Sequence, residues 1–328
     1  MAEKKIGTVV YRRALSPLLE IFRLMPEQGS IFPAYKAGQY LALSRDNCKL
    51  TKKVVGDNGQ MKYVYDVDES NTIKLGTVTH SYSIASAPSE TRRSGYLEFY
   101  VVLEIIKMET PGRLSESLFS VDPEMDNKVY YVNKITGEFT LDRRASGFQN
   151  VVMVGTGTGL APFASMIKEA YHEALGGKPP SHRYTLFHAN RTLKELGYHE
   201  ELREIEKSGA IDFVYVPSVS RPIQNDRENS SIGIGRANNI LRSVFGMPMK
   251  EEELFKLAQT EGGDVMRAEN ILKRTVVPIL PSHVTTNRLL DRMQPSSTVI
   301  LTCGNPQVME DIQFIAESNN IRFEKEEW

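Results

Sequence analysis

The chain has 328 residues, more than one hydrophobic core usually serves, so two domains are expected. Hydrophobic residues make up 41% and charged residues 25%, as in ordinary soluble globular proteins. A formal net charge of −1 argues against nucleic acid or an anionic membrane as bulk partners. The two cysteines, Cys48 and Cys303, fit a reducing compartment and exclude a four-cysteine iron–sulfur cluster. Because no apolar leader or run of ~20 apolar residues is present, we expect a cytoplasmic protein without a membrane span.

The first part of the chain, residues 6–145, is predicted to be mostly β. Strand-like segments lie at 6–11, 18–24, 37–43, 78–84, 96–104, 128–132 and 137–141. The polar stretch 48–75 predicts a hairpin or a long excursion, and 112–119 predicts one short helix. Six or more strands with few helices indicate a small antiparallel β-barrel.

From Asn150 onward, strand and helix patterns alternate, which predicts an α/β doubly wound parallel sheet. The strand patterns are 151–154, 184–188, 213–216 and 298–302, and the helix patterns are 161–174, 198–208, 236–245 and 306–317. We therefore divide the chain into domains at 1–147 and 148–328. Residues 246–285 stand where a short connection would suffice and are an insert, in which 251–259 and 265–273 could form a helical pair.

A glycine-rich loop follows the first strand of the second domain. Gly155, Gly157 and Gly159 alternate with Thr156 and Thr158, and a helix pattern comes next. Strand, glycine turn and helix together bring backbone N–H groups and a helix N-terminus to a phosphate. The spacing differs from the dinucleotide fingerprint G-x-G-x-x-G, and no acidic residue is obviously placed ~20 residues on. Alone, the loop indicates a nucleotide site or a tight turn about equally.

The segment from His80 to Pro88 could hold a flat polar ring together with a phosphate. Tyr82 offers a stacking face, Ser83 a donor at ring height, and His80 a partly cationic contact for a pyrophosphate. The alternative is an ordinary amphipathic strand with Tyr82 and Ile84 on one face.

A second candidate anion pocket is Gly112-Arg113-Leu114-Ser115 at the start of the predicted short helix. Backbone N–H groups, the Arg113 guanidinium and the Ser115 hydroxyl could meet an anion there. A plain helix start with Ser115 as N-cap is equally compatible.

Cys303-Gly304 and a set of arginines complete the candidates. Cys303 follows an apolar strand, so it is expected at the carboxyl edge of the sheet opposite the glycine loop, although a lone cysteine is usually structural. Three arginines stand after strands or at a helix start and could converge on one 2′-phosphate, which would select NADP over NAD. They are Arg191, Arg221 with its neighbour Ser220, and Arg236.

With these motifs in order, the sequence resembles the ferredoxin/flavodoxin–NADP reductase family, in particular its bacterial FAD-containing branch. The family's R-x-Y-S motif corresponds to residues 80–83 and its G-x-x-S to 112–115. Its G-T-G-x-x-P corresponds to 155–162, with a spacing slightly longer than in some relatives. Its C-G-N-P-Q stretch is matched letter for letter at 303–307. The likeness covers residues from about 7 to 328, apart from the excursion at 48–75 and the insert at 246–285.

The resemblance implies an FAD-binding antiparallel β-barrel followed by an NADP-binding α/β domain. Tyr82 would stack on the isoalloxazine, Ser83 would lie near flavin N5, and Trp328 would cover the flavin face. The catalytic candidates are Ser83, Cys303, Trp328 and a carboxylate near the C-terminus, for which Glu326 is chosen among Glu324, Glu326 and Glu327. The cofactor-binding candidates are His80, Ser81, Tyr82, Ser83, Ile84, Ala85, Ser86, Gly112, Arg113, Leu114, Ser115, Gly155, Thr156, Gly157, Thr158, Gly159, Arg191, Ser220, Arg221, Arg236, Cys303, Gly304 and Trp328.

The family's arginine is His80 here, which implies a weaker, pH-dependent pyrophosphate contact. The implied activity is electron transfer between NADPH and ferredoxin or flavodoxin, an acidic small carrier. Basic residues for docking that carrier are expected among Lys36, Arg92, Arg93 and Arg113. The alternatives are an NADPH-dependent flavin reductase or oxygenase reductase component, and a redox sensor that binds flavin and NADPH without turnover.

Overall fold

The structure is a computed structural model that describes residues 3–56, 59–106 and 110–326. Contacts within the chain divide it into two compact units, Met1–Glu138 and Phe139–Trp328, which are described separately. The strands of the first unit are β1 Lys4–Ser16, β2 Leu19–Pro26, β3 Tyr40–Lys49, β4 Thr51–Val55, β5 Met61–Tyr65, β6 Leu75–Ser83, β7 Leu97–Val102, β8 Ile105–Ile106, β9 Thr110–Pro111 and β10 Lys128–Thr136. Its helices are α1 Pro88–Ser94 and α2 Arg113–Phe119.

The main sheet of the first unit is antiparallel throughout, with the strand order β6-β3-β10-β1-β2-β7. Its two outer strands meet where Ile84, just after β6, bridges to Phe99 in β7. There the Ala85 N–H donates to the Glu98 carbonyl at 2.8 Å. The antiparallel barrel predicted from the sequence is confirmed.

The barrel core follows the period-two alternation of its strands. Leu41 and Leu43 of β3 face the same apolar cluster as Phe22 and Leu24 of β2, and all four are almost wholly buried. Helix α2 adds Leu114 and Leu118 to this cluster. Burying such side chains stabilises the fold by about 1.5–3 kcal/mol each.

Three local features differ from or refine the sequence prediction for the first unit. Strands β4 and β5 pair as an antiparallel, separate two-stranded sheet, so the hairpin interpretation of this stretch is right. The described residues of this unit form two short helices rather than one, because Pro88 at the helix start and the bond of Glu90 to the Ala87 N–H nucleate α1. Residues 137–141 are not a strand: Gly137 has φ +123°, which breaks the extended chain after β10.

The second unit carries a parallel sheet in the order β14-β13-β12-β11-β15-β16. Its strands are β11 Asn150–Thr156, β12 Arg183–Asn190, β13 Phe213–Val219, β14 Gly233–Ile234, β15 Thr298–Cys303 and β16 Arg322–Lys325. Its helices are α3 Leu141–Arg144, α4 Ala161–Leu175, α5 His199–Ser208, α6 Gln224–Glu228, α7 Ala237–Val244, α8 Lys250–Thr260, α9 Val265–Arg274, α10 Thr286–Asp291 and α11 Pro306–Ser318. The predicted doubly wound parallel sheet is confirmed.

The strand order of this sheet reverses between β11 and β15, which lie side by side. Val152, Val154 and Ile300 project from one face into an apolar cluster that includes residues of α7, α10 and α11. The central strands are buried along almost their whole length, as expected of a covered parallel sheet. In doubly wound folds, ligands bind at the carboxyl edge where the order reverses.

The insert contains the predicted pair of helices, α8 and α9, which contact each other. Along these two helices only Glu251 is buried, whereas Leu254, Leu257, Met266 and Ile271 are exposed. In the described part of the chain, no helix has the length and apolar character needed to cross a bilayer.

Candidate functional site

The glycine loop after β11 packs directly on the turn after β15. Gly155 lies opposite Cys303 in the parallel ladder. A Cβ at Gly159 would stand 2.2 Å from the Cys303 carbonyl oxygen, closer than any real contact. Gly304 has φ +126°, and a Cβ there would stand 2.3 Å from Thr156 Oγ1. Glycine is required at both positions because the two backbones touch.

The opposite side of this loop is open. Gly157 has φ +57°, and a Cβ there would meet none of the described residues beyond its chain neighbours within 4 Å. Residues Gly157–Leu160 form a 3-10 turn that leads into the 15-residue helix α4. The Thr156 side chain is held in place, because its Oγ1 accepts a 3.1 Å hydrogen bond from the Asn305 N–H. A fixed loop with a free face at a helix N-terminus is suited to an anion.

The Cys303 thiol is closed off from solvent and paired with a carboxylate. Cys303 is fully buried, Glu326 is 4% exposed, and Sγ donates to Glu326 Oε2 at 2.9 Å. Burial and then the adjacent Glu326 charge raise the pKa of the Cys303 thiol well above its usual value. The thiol is therefore a neutral proton donor at neutral pH.

Strand β16 places Glu326 at this position. Thr302 lies opposite Lys325 in the ladder, and the Glu326 N–H continues it by donating to the Thr302 carbonyl at 3.0 Å. Glu324 accepts instead from Arg144 at 2.8 Å. Glu327 and the predicted flavin lid, Trp328, lie outside the described residues.

The three arginines follow the carboxyl ends of three neighbouring strands, β12, β13 and β14. Asn190 is opposite Val219, and Val219 is opposite Ile234. Backbone bonds extend the ladder past the strand ends, from Arg221 N–H to the Arg191 carbonyl at 2.8 Å and from Ser220 N–H to the Asn190 carbonyl at 2.9 Å. Arg191, Arg221 and Arg236 thus form a row, hereafter the arginine row, at the carboxyl edge.

Two members of the arginine row are already paired with buried carboxylates. Arg191 binds Glu195 through two hydrogen bonds, one of 2.9 Å. Arg236 Nη1 donates to Glu251 Oε1 at 3.0 Å. Both carboxylates are 4% exposed, and neither was predicted from the sequence. Arg191 and Glu195 are close in sequence but lie on a bend and a 3-10 turn rather than an α-helix, so their spacing alone does not predict the first pair. Nothing in the sequence places Glu251 beside Arg236.

The segment predicted for a flavin runs along an outer strand of the barrel. Among the described residues, β6 has a strand partner on one side only, β3, until the bridge at Ile84. His80 and Ser81 are exposed, Tyr82 is half-buried against the core cluster, and Ser83 is buried. Burial raises the pKa of Tyr82, so its phenol stays neutral.

The residues that follow β6 form a rigid corner. Ile84, Ala85 and Ser86 are wholly buried. Ser86 Oγ accepts from the Glu98 N–H at 3.0 Å, and Tyr35 Oη lies 2.8 Å from Thr91 Oγ1. This corner holds the end of β6 in place.

The predicted anion pocket at Gly112 has a more structural character than expected. Gly112, not Ser115, is the N-cap of α2. The Ser115 hydroxyl donates to the Gly112 carbonyl and accepts from the Glu104 N–H, both at 3.1 Å. Leu114 is buried in the core, while Arg113 is half-buried. Ser115 therefore ties α2 to the strand region before it.

Comparisons with known proteins address the fold and the second unit. Residues 153–254 match the family model of the oxidoreductase NAD-binding domain. A ferredoxin NADP+ reductase from Neisseria gonorrhoeae, solved with bound FAD and NADP, is 17% identical with a TM-score of 0.55, and the alignment covers 99% of both chains. The chain has the ferredoxin–NADP+ reductase fold.

Other solved structures share this fold. The FAD/NAD-binding domain of a nitric oxide dioxygenase from Vibrio cholerae is 13% identical with a TM-score of 0.58, over 98% of this chain and 97% of that one. The ferredoxin reductase of a carbazole 1,9a-dioxygenase is 15% identical with a TM-score of 0.54, over 99% and 69%. No curated protein sequence matches significantly. At these identities the likeness establishes the fold and leaves the electron partner open.

Proposed function

We propose that this protein is a flavoenzyme that transfers electrons between NADPH and a one-electron carrier, ferredoxin or flavodoxin. We assign FAD binding to the domain 1–147 and NADP binding to the domain 148–328, a boundary nine residues after that between the two compact units. The observation that carries the proposal is the packing of the glycine loop on the Cys303–Gly304 turn at the strand-order reversal of an oxidoreductase NAD-binding domain. The neighbour from Neisseria gonorrhoeae, solved with FAD and NADP, supports both cofactors.

The second unit fits NADP(H). The open face at Gly157 leaves room for a phosphate beside the backbone and the start of α4. Thr156, Thr158 and Gly159 complete this loop. The arginine row, with Ser220, would take the 2′-phosphate, and Arg221 makes no side-chain ion pair or hydrogen bond within the described residues.

The first unit fits FAD. Among the described residues, β6 pairs with a strand on one side only, and exposed His80 and Ser81 and the half-buried ring of Tyr82 lie along it. Tyr82 would stack on the isoalloxazine, Ser83 would lie near N5, and His80 would contact the pyrophosphate. Further contacts are assigned to Ile84, Ala85, Ser86, Gly112, Arg113, Leu114 and Ser115.

The protein's own contribution is placement and proton control. FAD held by Tyr82, Ser83 and His80 would supply the redox chemistry that links the two-electron donor NADPH to a one-electron carrier. Cys303 and Glu326 keep a proton between Sγ and Oε2 in a site closed to water, on the side assigned to the nicotinamide. Trp328 would cover the flavin face until the nicotinamide replaces it.

The acidic carrier would dock on basic residues of the first unit. Lys36, Arg92 and Arg93 are exposed and Arg113 is half-buried. Exposed cations of this kind speed the encounter with an acidic partner more than they tighten binding. Loss of charge at these positions should therefore slow association at low ionic strength.

Turnover with different acceptors tests the proposal. Protein reconstituted with FAD should oxidise NADPH and reduce ferredoxin or flavodoxin catalytically, and Tyr82→Ala should lose FAD. NADPH oxidation that requires excess free flavin would instead indicate a flavin reductase. A single slow reduction without turnover on any acceptor would indicate a redox sensor and overturn the proposal.

A further inference from the structure

The insert places the buried carboxylate of Glu251 beside Arg236, a member of the arginine row. Glu251 stands in the first turn of α8 and is 4% exposed. Its Oε1 accepts from Arg236 Nη1 at 3.0 Å, and its Oε2 accepts from Asn239 Nδ2 at 2.7 Å. Both oxygens are therefore occupied, and the carboxylate cannot turn away without breaking two bonds.

Hydrogen bonds and an ion pair between α7 and the start of the insert fix the position of Glu251. Asn239 Oδ1 accepts from the Lys250 N–H at 3.0 Å. The fully buried Arg242 donates to the Pro248 carbonyl at 2.9 Å and pairs with Glu253 at 2.8 Å. Because Arg236, Asn239 and Arg242 recur every three residues, one face of α7 holds the whole start of the insert. The Arg236–Glu251 pair is thus part of a built junction rather than a loose surface ion pair.

This junction changes the charge of the arginine row. Three guanidinium groups stand in the row, but Glu195 neutralises Arg191 and Glu251 neutralises Arg236. Among the described residues, Arg221 is the member of the row whose side chain has no such carboxylate partner. A 2′-phosphate carries close to two negative charges, so it would have to share Arg236 with a carboxylate of its own sign.

We propose that Glu251 is a specificity-determining residue that weakens the preference for 2′-phosphorylated nucleotides by holding one edge of Arg236. The inference rests on the proposed function, which assigns the arginine row to the 2′-phosphate end of NADP(H). Holding Arg236 in place could also favour phosphate binding. That gain is small here, because the Arg236 side chain is still 57% exposed and only one Nη is fixed. The neutralised charge is the larger effect.

Binding of two mononucleotides that differ only in the 2′-phosphate measures this effect. Adenosine 2′,5′-bisphosphate and AMP are titrated by calorimetry into the FAD-loaded wild-type protein and the Glu251→Gln variant. Removal of the negative charge should tighten the bisphosphate by about tenfold, while AMP affinity changes by less than about twofold. The readout does not require electron transfer.

Three variants make the result specific. Glu261→Gln, which removes an exposed carboxylate at the C-cap of the same helix, should leave both affinities unchanged. In an Arg236→Ala background, Glu251→Gln should no longer tighten the bisphosphate. If Glu251→Gln fails to fold, Glu251→Asp keeps the charge with a shorter reach, and should tighten the bisphosphate by a smaller factor.

The possible failures are distinguishable. Unchanged or weaker bisphosphate binding by a folded Glu251 variant, with a wild type that discriminates between the two nucleotides, overturns the inference alone. If the wild type binds neither nucleotide, the proposed NADPH function is overturned. The same holds if the wild type and the Arg221→Ala variant both bind the two nucleotides equally.

Discussion

Cys303 Sγ lies 2.9 Å from Glu326 Oε2, and both side chains are shut away from solvent. The two residues come together because β16 runs parallel to β15 and ends one residue before Glu326. A thiol beside a buried carboxylate holds its proton, since ionisation would place two negative charges in contact. The Cys303 sulfur therefore keeps its proton at the carboxyl edge of the sheet, where we propose that the nucleotide binds.

The buried thiols should resist alkylation. In native protein at about pH 8, iodoacetamide should modify Cys303 more than about 100-fold more slowly than in unfolded protein, because the thiolate is the reactive form and burial raises the pKa. Cys48, also buried with a raised pKa, should behave alike and serves as an internal comparison. Mass spectrometry after timed labelling measures both. Rapid native labelling of Cys303 alone would show that the thiol is exposed and ionised.

Removing the charge of Glu326 should slow the chemistry more than the binding. Glu326→Gln keeps the shape of the side chain but cannot hold the proton, so NADPH-dependent reduction should fall by about 100-fold while the affinity for NADP+ changes little. Single-turnover kinetics and NADP+ titration separate the two effects. Glu324→Gln is the matched control, since Glu324 pairs with Arg144 and Arg322 instead. Equal losses in both variants would remove the special role of Glu326.

The contact between the glycine loop and the Cys303 turn predicts a sharp difference between two glycines. Gly159→Ala would place a Cβ against the Cys303 backbone, which cannot yield like a flexible side chain. We expect destabilisation of about 1–3 kcal/mol and loss of NADP+ binding. Gly176→Ala, at the end of α4 with φ −80° and ordinary contacts, should be within about 0.5 kcal/mol of wild type. Thermal melts and nucleotide titration test the pair of variants.

A buried histidine should make the second unit acid-sensitive. His188 is wholly buried beside Tyr215, with Nδ1 2.9 Å from the phenol, and burial lowers its pKa to about 3. Between about pH 6.5 and pH 3 the unfolded chain therefore binds a proton that the folded chain does not. The free energy of unfolding should therefore decrease as the pH is lowered through this window, by up to about 1.4 kcal/mol per pH unit.

The variant His188→Gln should reduce that slope while retaining a partner for Tyr215. Urea unfolding between about pH 7 and pH 4 measures the slope for wild type and variant. His182→Gln, a half-buried histidine near the start of β12, is the control and should keep the wild-type slope. An identical slope for wild type and His188→Gln would mean that other groups cause the acid sensitivity.

The architecture was largely predictable because its elements carry strong local patterns. The four central strands of the second unit were found within three residues at each end, since buried parallel strands read as apolar runs. β16 was missed, because Arg322–Lys325 is a short polar segment at the sheet edge whose pairing depends on β15. Without β16, the sequence could not choose Glu326 over Glu324 on physical grounds.

The site was predictable in its motifs but not in its pairings. The glycine loop, Cys303 and the arginine row lie at strand ends of one parallel sheet, so topology alone brings them to one edge. Glu251 belongs to an insert, and its contact with Arg236 depends on the hydrogen bonds between that insert and α7. Such long-range polar contacts leave no periodic signal in the sequence.

Anaerobic titration with NADPH and, separately, with NADH, followed by the absorbance of oxidised flavin, tests whether this chain couples FAD to NADPH. We expect stoichiometric bleaching by NADPH, a slower response to NADH, and loss of the difference in Arg221→Ala. A preparation that neither contains FAD nor takes it up, or bound flavin that NADPH leaves oxidised, would contradict the proposed function.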